Sequence, residues 1–205
     1  MALIHDGMTL LFQGDSVTDC GRSREDTTDL GPGYPRFAAE ELAKRYPNLR
    51  VINRGISGNR SGDLVARWEE DCLALKPDLL SILIGINDTW RRFDANSPTT
   101  AAEYEANMRR LLTDVRDRLG IPVVLMEPLV LEVQPGQADW REDLDAKIDV
   151  MRRLAREFGC LLVPLDGLFA AESCRTPMER LAADGVHPTE EGARLIARAF
   201  VEAVQ

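Results

Sequence analysis

Five short runs of nearly unbroken apolar residues punctuate the chain, at Thr9–Gln13, Arg50–Asn53, Leu79–Ile84, Pro122–Met126 and Leu161–Leu165. Runs of this length without apolar/polar alternation predict strands covered on both faces. Between them, apolar positions recur at helical spacing. Leu64, Trp68, Cys72 and Leu75 form one stripe, and Tyr104, Met108, Leu111, Val115 and Leu119 another. Leu144, Ile148, Met151, Ala155 and Phe158 form a third, and Ile196 with Phe200 anchors the last. Such stripes are the core-facing sides of amphipathic helices. Strands alternating with helices predict an α/β fold: a three-layer α/β/α sandwich with a central parallel sheet of about five strands and right-handed crossovers. The stretch 21–33 is the one long polar loop, and loops of that length are often functional, so it is expected to border a site.

At 205 residues the chain has the length of one domain, expected to span 1–205. A domain of this size buries roughly 70% of its unfolded surface and needs no staples. The formal net charge of −9 repels phosphates and argues against nucleic acid as a main partner. Cys20, Cys72, Cys160 and Cys174 show no CxxC pairing, and His5 and His187 lie far apart, so neither a His/Cys metal site nor a disulfide framework is expected. No signal-like or membrane-spanning run is visible, which predicts a cytoplasmic protein without a membrane partner. Assembly into a homo-oligomer is left open.

Each predicted strand hands a polar cluster to what should be one edge of the sheet. Gly14-Asp15-Ser16 ends the first, Asn53 to Asn59 follows the second, and Gly85-Ile86-Asn87-Asp88 follows the third; Asp184 and His187 precede the last helix. In a doubly wound sheet the C-terminal strand ends face a single crevice. Ser16 would need a base to act as a nucleophile, and histidine is the usual one. His5 precedes the first strand, at the wrong edge, and reads as a solvated residue. His187 therefore becomes the base, with Asp184 three residues earlier placed to orient the imidazole. The Asn87 side-chain amide and the backbone N–H groups of Ser16 and Gly58 are candidate oxyanion donors, glycine permitting close backbone approach. Ser57 is a rival nucleophile, but its context is not the GxSxG elbow. Asp15, Trp90 and Arg91 are candidate substrate contacts. Each cluster alone has a plain structural reading, as an N-cap at Asp15 or Ser16, a turn at Asp184, or a cap at Thr189. Three clusters at strand ends and a fourth in the loop before the last helix point instead to acyl transfer.

These clusters resemble, in order and over essentially the whole chain, the four blocks of the SGNH hydrolases, also called the GDSL esterase/lipase family. Gly14-Asp15-Ser16 is similar to the nucleophile block, and Gly58 within Gly55-Ile56-Ser57-Gly58-Asn59 to the block supplying an oxyanion glycine. Gly85-Ile86-Asn87-Asp88 is similar to the block with the oxyanion asparagine, and Asp184-Gly185-Val186-His187 to the acid–base block. The stretches 10–22, 53–59, 66–71 and 84–91 look most like bacterial carbohydrate acetylesterases of the acetylxylan esterase type. The resemblance implies a flavodoxin-like SGNH fold and a Ser16–His187–Asp184 triad acting through an acyl-enzyme. It also implies an acetylated oligosaccharide or other small ester as substrate, with no cofactor and no metal. A lysophospholipase or thioesterase with the same triad is the alternative. A receiver module would need an acidic cluster at the first strand, and a dinucleotide-binding domain a GxGxxG there; the chain has neither.

Overall fold

A computed structural model describes residues 3–205. The elements run β1 (Thr9–Gly14), α1 (Ser16–Asp19), α2 (Tyr34–Ala43), β2 (Arg50–Asn53), α3 (Ser61–Asp71), β3 (Leu79–Leu83), α4 (Ile86–Ala95), α5 (Ala101–Arg118), β4 (Val123–Met126), α6 (Arg141–Phe158), β5 (Leu161–Val163), α7 (Leu165–Ser173), α8 (Met178–Leu181) and α9 (Glu190–Val204). Short 3-10 turns occupy Leu73–Leu75 and Gln137–Trp140. The strands form one parallel sheet in the order β2-β1-β3-β4-β5. Chain direction across the sheet reverses at β1, so the crevice between the C-terminal ends of β1 and β3 is the topological switch point where ligands bind in such sheets.

Both sheet faces are covered, which explains the unbroken apolar runs. Leu10, Phe12, Leu79, Val124 and Met126 pack under α2 and α9, where Phe12 meets Tyr34 edge-on at 5.4 Å and Phe200 at 5.0 Å. Leu11, Leu80, Ile82 and Leu125 face the other way, onto the apolar stripes of α3, α5 and α6. Neighbouring strand residues thus point to opposite layers, as the two-residue strand period requires.

The observed bounds differ from the expected ones at five places. β1 runs one residue further, to Gly14, and β3 ends one residue earlier, at Leu83. β5 stops at Val163 rather than Leu165, because Pro164 has no N–H to donate and instead leads into α7. β4 starts after Pro122 for the same reason. The stripe ending at Leu75 is not one helix: α3 ends at Asp71, Cys72 breaks the spiral at φ −134°, and a 3-10 turn carries the remaining apolar residues to Lys76. The stretch 21–33 is irregular, as expected, with no helix or strand between α1 and α2. His5 is exposed ahead of β1.

Candidate active site

Gly14 ends β1 with its Cα against β3 and α1, where a Cβ would overlap Leu83 O and Thr18 Oγ1. Only glycine lets the strand turn so tightly into a helix. Asp15 makes the turn: its Oδ1 accepts the Val17 N–H at 3.0 Å and caps α1. Ser16, the first residue of α1, is thereby held at the crevice, half-buried. Its Oγ lies 2.9 Å from His187 Nε2, and His187 Nδ1 lies 2.6 Å from Asp184 Oδ2. The other carboxylate oxygen, Asp184 Oδ1, accepts the backbone N–H groups of Val186 (2.9 Å) and His187 (2.7 Å). Partial burial pushes the Asp184 carboxyl up, but the His187 side chain and these two N–H groups outweigh it and keep the carboxyl below its ordinary value. A carboxylate at Nδ1 holds a proton there and leaves Nε2 to accept from the serine hydroxyl, the arrangement that activates a serine at neutral pH.

The loop after β2 forms the next wall. Gly58 has φ +83°, which explains the glycine; the space a Cβ would occupy is open, so close approach is not the reason it is glycine here. Close approach belongs to Gly55, where a Cβ would overlap Asp19 N. Asn87, buried in the first turn of α4, donates from Nδ2 to Asn59 O at 3.1 Å. An amide carries two N–H groups, so this bond fixes the side chain while using one of them. Ser57 is otherwise engaged: both its N–H and its hydroxyl donate to Asp19 Oδ2, at 2.9 and 2.7 Å.

Several braces around this wall lie in stretches that the resemblance covers, yet the sequence assigns them no role. Arg67 reaches back from α3 to the Asn59 side chain (2.8 Å), Arg54 O (2.9 Å), Gln13 Oε1 (3.0 Å) and Gly14 O (3.2 Å), tying strand end to loop. Asn53 binds Thr18 O, Leu30 O and the Gly55 N–H, which also anchors the stretch 21–33. Asp88 accepts the Ser61 N–H and hydroxyl, at 2.9 and 2.6 Å; burial pushes its carboxyl up against these two bonds.

The three expected substrate contacts separate. Asp15 is 1% exposed and lies beneath the crevice, so substrate contact does not fit its placement; its carboxylate is committed to the turn. Burial raises its carboxyl to about 7, with the Asp88 charge adding to the shift and the Val17 N–H and His187 opposing it. Trp90 faces the imidazole of His187, ring centres 5.9 Å apart. Arg91 stacks on Trp90 at 4.9 Å, pairs with Asp94 at 2.8 Å, and lines a cleft of about 630 Å³ that begins at Gly58 and runs past Arg60, Asp63, Glu103 and Asn107. A second cavity, about 240 Å³, adjoins Ser16 and His187 and is lined by Val17, Cys20, Tyr34 and Ala193. Trp140 packs on Trp90 at 5.4 Å, a placement the sequence did not reveal. Among the described residues, no group of three or more His, Cys, Asp or Glu side chains is placed to hold a metal ion, and no helix is long and apolar enough to cross a membrane.

Residues 12–195 match the GDSL-like lipase/acylhydrolase family. An acetylxylan esterase of Geobacillus stearothermophilus is 39% identical over 211 residues, covering 98% of this chain and 95% of that protein. An arylesterase of Vibrio mimicus is 28% identical over 188 residues, covering 92% and 84%. Among solved structures, that of an acetylxylan esterase from Geobacillus stearothermophilus superposes with a TM-score of 0.91 at 38% identity, covering 100% of this chain and 96% of the other. An alpha/beta hydrolase enzyme from the metagenome of Lake Arreo, Spain, gives 0.91 at 34% identity, covering 100% and 98%.

Proposed function

This chain belongs to the GDSL-like lipase/acylhydrolase family and is a carboxylic ester hydrolase; on that premise we propose that it removes acetyl groups from carbohydrates, xylo-oligosaccharides first among them, through Ser16, His187 and Asp184. The observation that carries the proposal is the unbroken Ser16–His187–Asp184 hydrogen-bond chain at the switch point of the sheet. Ser16 Oγ attacks the ester carbonyl as His187 Nε2 takes its proton, with Asp184 stabilising the imidazolium without itself becoming protonated. The Ser16 and Gly58 N–H groups and the Asn87 amide receive the tetrahedral oxyanion. As the intermediate collapses, His187 returns the proton to the departing alcohol. Water, deprotonated by the same nitrogen, then releases acetate from Ser16. Every step uses groups of this chain, with no cofactor, and residues 1–205 act as one catalytic domain.

Three observations support a carbohydrate alcohol. The cleft beyond Gly58 presents donors from Arg60, Arg91 and Asn107 and acceptors from Asp63 and Glu103, a mixture suited to the hydroxyls of a neutral polyol. Its volume of about 630 Å³ lies in the range of small-molecule clefts, and it is open along one side, as a chain of sugars requires. The relative with 39% identity is an acetylxylan esterase. The apolar cavity beside Ser16 favours a second reading, hydrolysis of longer acyl chains by the same triad, as in a lysophospholipase or thioesterase. Hydrolysis of p-nitrophenyl acetate and octanoate by wild type and Ser16→Ala separates them. The proposal expects acetate preference that the substitution abolishes, followed by deacetylation of xylo-oligosaccharides. Octanoate preference moves the function to long acyl chains, and equal rates in the two proteins remove Ser16 as nucleophile.

A further inference from the structure

We propose that Gln137 is a positioning residue for proton transfer, fastening the loop that carries Asp184 and His187 to the segment 131–140; the role rests on the triad reading above. Gln137 is 3% exposed, and both polar atoms of its amide bond backbone, on two separate stretches. Oε1 accepts the N–H groups of Val133 (3.0 Å) and Gln134 (2.7 Å), and Nε2 donates to Asp184 O at 2.7 Å. A side-chain amide offers an acceptor and a donor on the two ends of one short planar group, without needing a titratable proton. The fit is close. Gly185 has φ +84°, and a Cβ there would lie 2.5 Å from Gln137 Oε1, 2.7 Å from Nε2, and overlap Leu131 O. The Leu131 N–H donates to Gly185 O at 2.8 Å. Two consecutive carbonyls of the acid–base loop are therefore tied to one segment, while the N–H groups that follow are tied to Asp184 Oδ1. At the far end of the same segment, Trp140 packs on Trp90, the ring that faces His187.

The loop needs such a fastening. His187 sits outside any helix or strand, ahead of the Thr189 cap of α9, and its side chain is exposed. The 2.9 Å approach to Ser16 is set by the loop's hydrogen bonds, by the burial of Val186 next to His187 and by the Trp90 ring. A displacement of about 1 Å in such a geometry costs on the order of 100-fold in rate.

The test uses the whole protein and p-nitrophenyl acetate, with Gln137→Met, Gln137→Glu and Ser16→Ala compared by kcat, KM and thermal unfolding. Gln137→Met keeps the bulk and loses the amide; kcat should fall roughly 10- to 100-fold with KM within about twofold. Gln137→Glu keeps the acceptor for Val133 and Gln134 but turns a second oxygen toward Asp184 O. Ionised, that oxygen repels the carbonyl; protonated, as burial favours, it donates as the amide did. The kcat of Gln137→Glu relative to wild type should therefore rise as pH is lowered from about 8 to about 6. A purely structural role predicts a lower unfolding temperature, wild-type kcat per folded molecule and a pH-independent ratio; that result overturns the proposal while an inactive Ser16→Ala leaves the triad standing. A Ser16→Ala protein with wild-type activity overturns both.

Discussion

The serine side of the site and the histidine side are built differently. Ser16 and Asn87 sit in the first turns of α1 and α4 and Gly58 in the loop after β2, and buried or half-buried polar groups brace them: Arg67 spans Gly14, Arg54 and Asn59, Asn53 spans α1 and the loop after β2, and Asp88 grips Ser61. Asp184 and His187 lie on an irregular loop tied to the rest of the protein by hydrogen bonds to Gln137 and Leu131, by Val186 buried among Ile86, Val130 and Trp140, and by the Ala182–Pro188 bridge. The difference teaches where precision is stored. The nucleophile and its oxyanion donors are preorganised by the sheet, as electrostatic stabilisation requires. The proton carrier is held by a small, separable clasp.

The comparison is mechanical, and the chemistry should not respect it. Ser16→Ala and His187→Ala should each lower kcat by about 10³-fold or more, and the double variant should be little worse than either, since the two act as one unit. Additive losses would break that view. Removing one oxyanion donor with Asn87→Ala should lower kcat by roughly 10²- to 10³-fold with little change in KM. A loss confined to KM would move Asn87 from transition-state stabilisation to substrate binding.

The two carboxyls beside the triad should respond to pH with opposite signs. Asp15 is raised from 3.8 to about 7 by burial, so the folded protein holds a proton that the unfolded chain gives up. Its contribution is complete below pH about 4 and is lost as pH climbs through about 7. The stability of Asp15→Asn relative to wild type should rise across that window, by up to about 4 kcal/mol at 1.36 kcal/mol per pKa unit. Asp184 is lowered, so its contribution is present above the ordinary value and disappears as pH falls below it. Denaturant unfolding of Asp15→Asn and Asp184→Asn against wild type, from about pH 2 to about pH 8, reads both: relative to wild type the first should rise and the second fall as pH increases, and the same sign for both would contradict the placement of Asp15. The smallest effect is in hydrogen exchange, where the amides of Val186 and His187 should exchange faster than that of Gly55, which donates to the buried Asn53 side chain.

Much of this was legible in the sequence because it depends on periodicity and on glycine. The apolar runs marked every strand, and Gly14, Gly58 and Gly85 stand where the backbone turns out of strands or takes positive φ. Strand ends at Pro122 and Pro164 were misjudged by a residue or two, since an apolar run continues past the point where the missing N–H ends pairing. Asp15 looked like a substrate contact because sequence proximity to Ser16 says nothing about which way a turn points. Gln137 reaches Asp184 across 47 residues and Trp140 sits in a small separate cluster, so no local pattern marks their partners; Arg67 lies in the 66–71 stretch of the resemblance, but its reach to Gly14 across 53 residues is not visible there.

The central claim, that Ser16 carries the acyl group, is tested most directly by quenching the enzyme during turnover of p-nitrophenyl acetate and mapping the acetyl group by peptide mass spectrometry. The account predicts a single acetyl group on the peptide containing Ser16, absent from Ser16→Ala. Acetyl on Ser57, or turnover with no acetyl-enzyme in wild type, would contradict it.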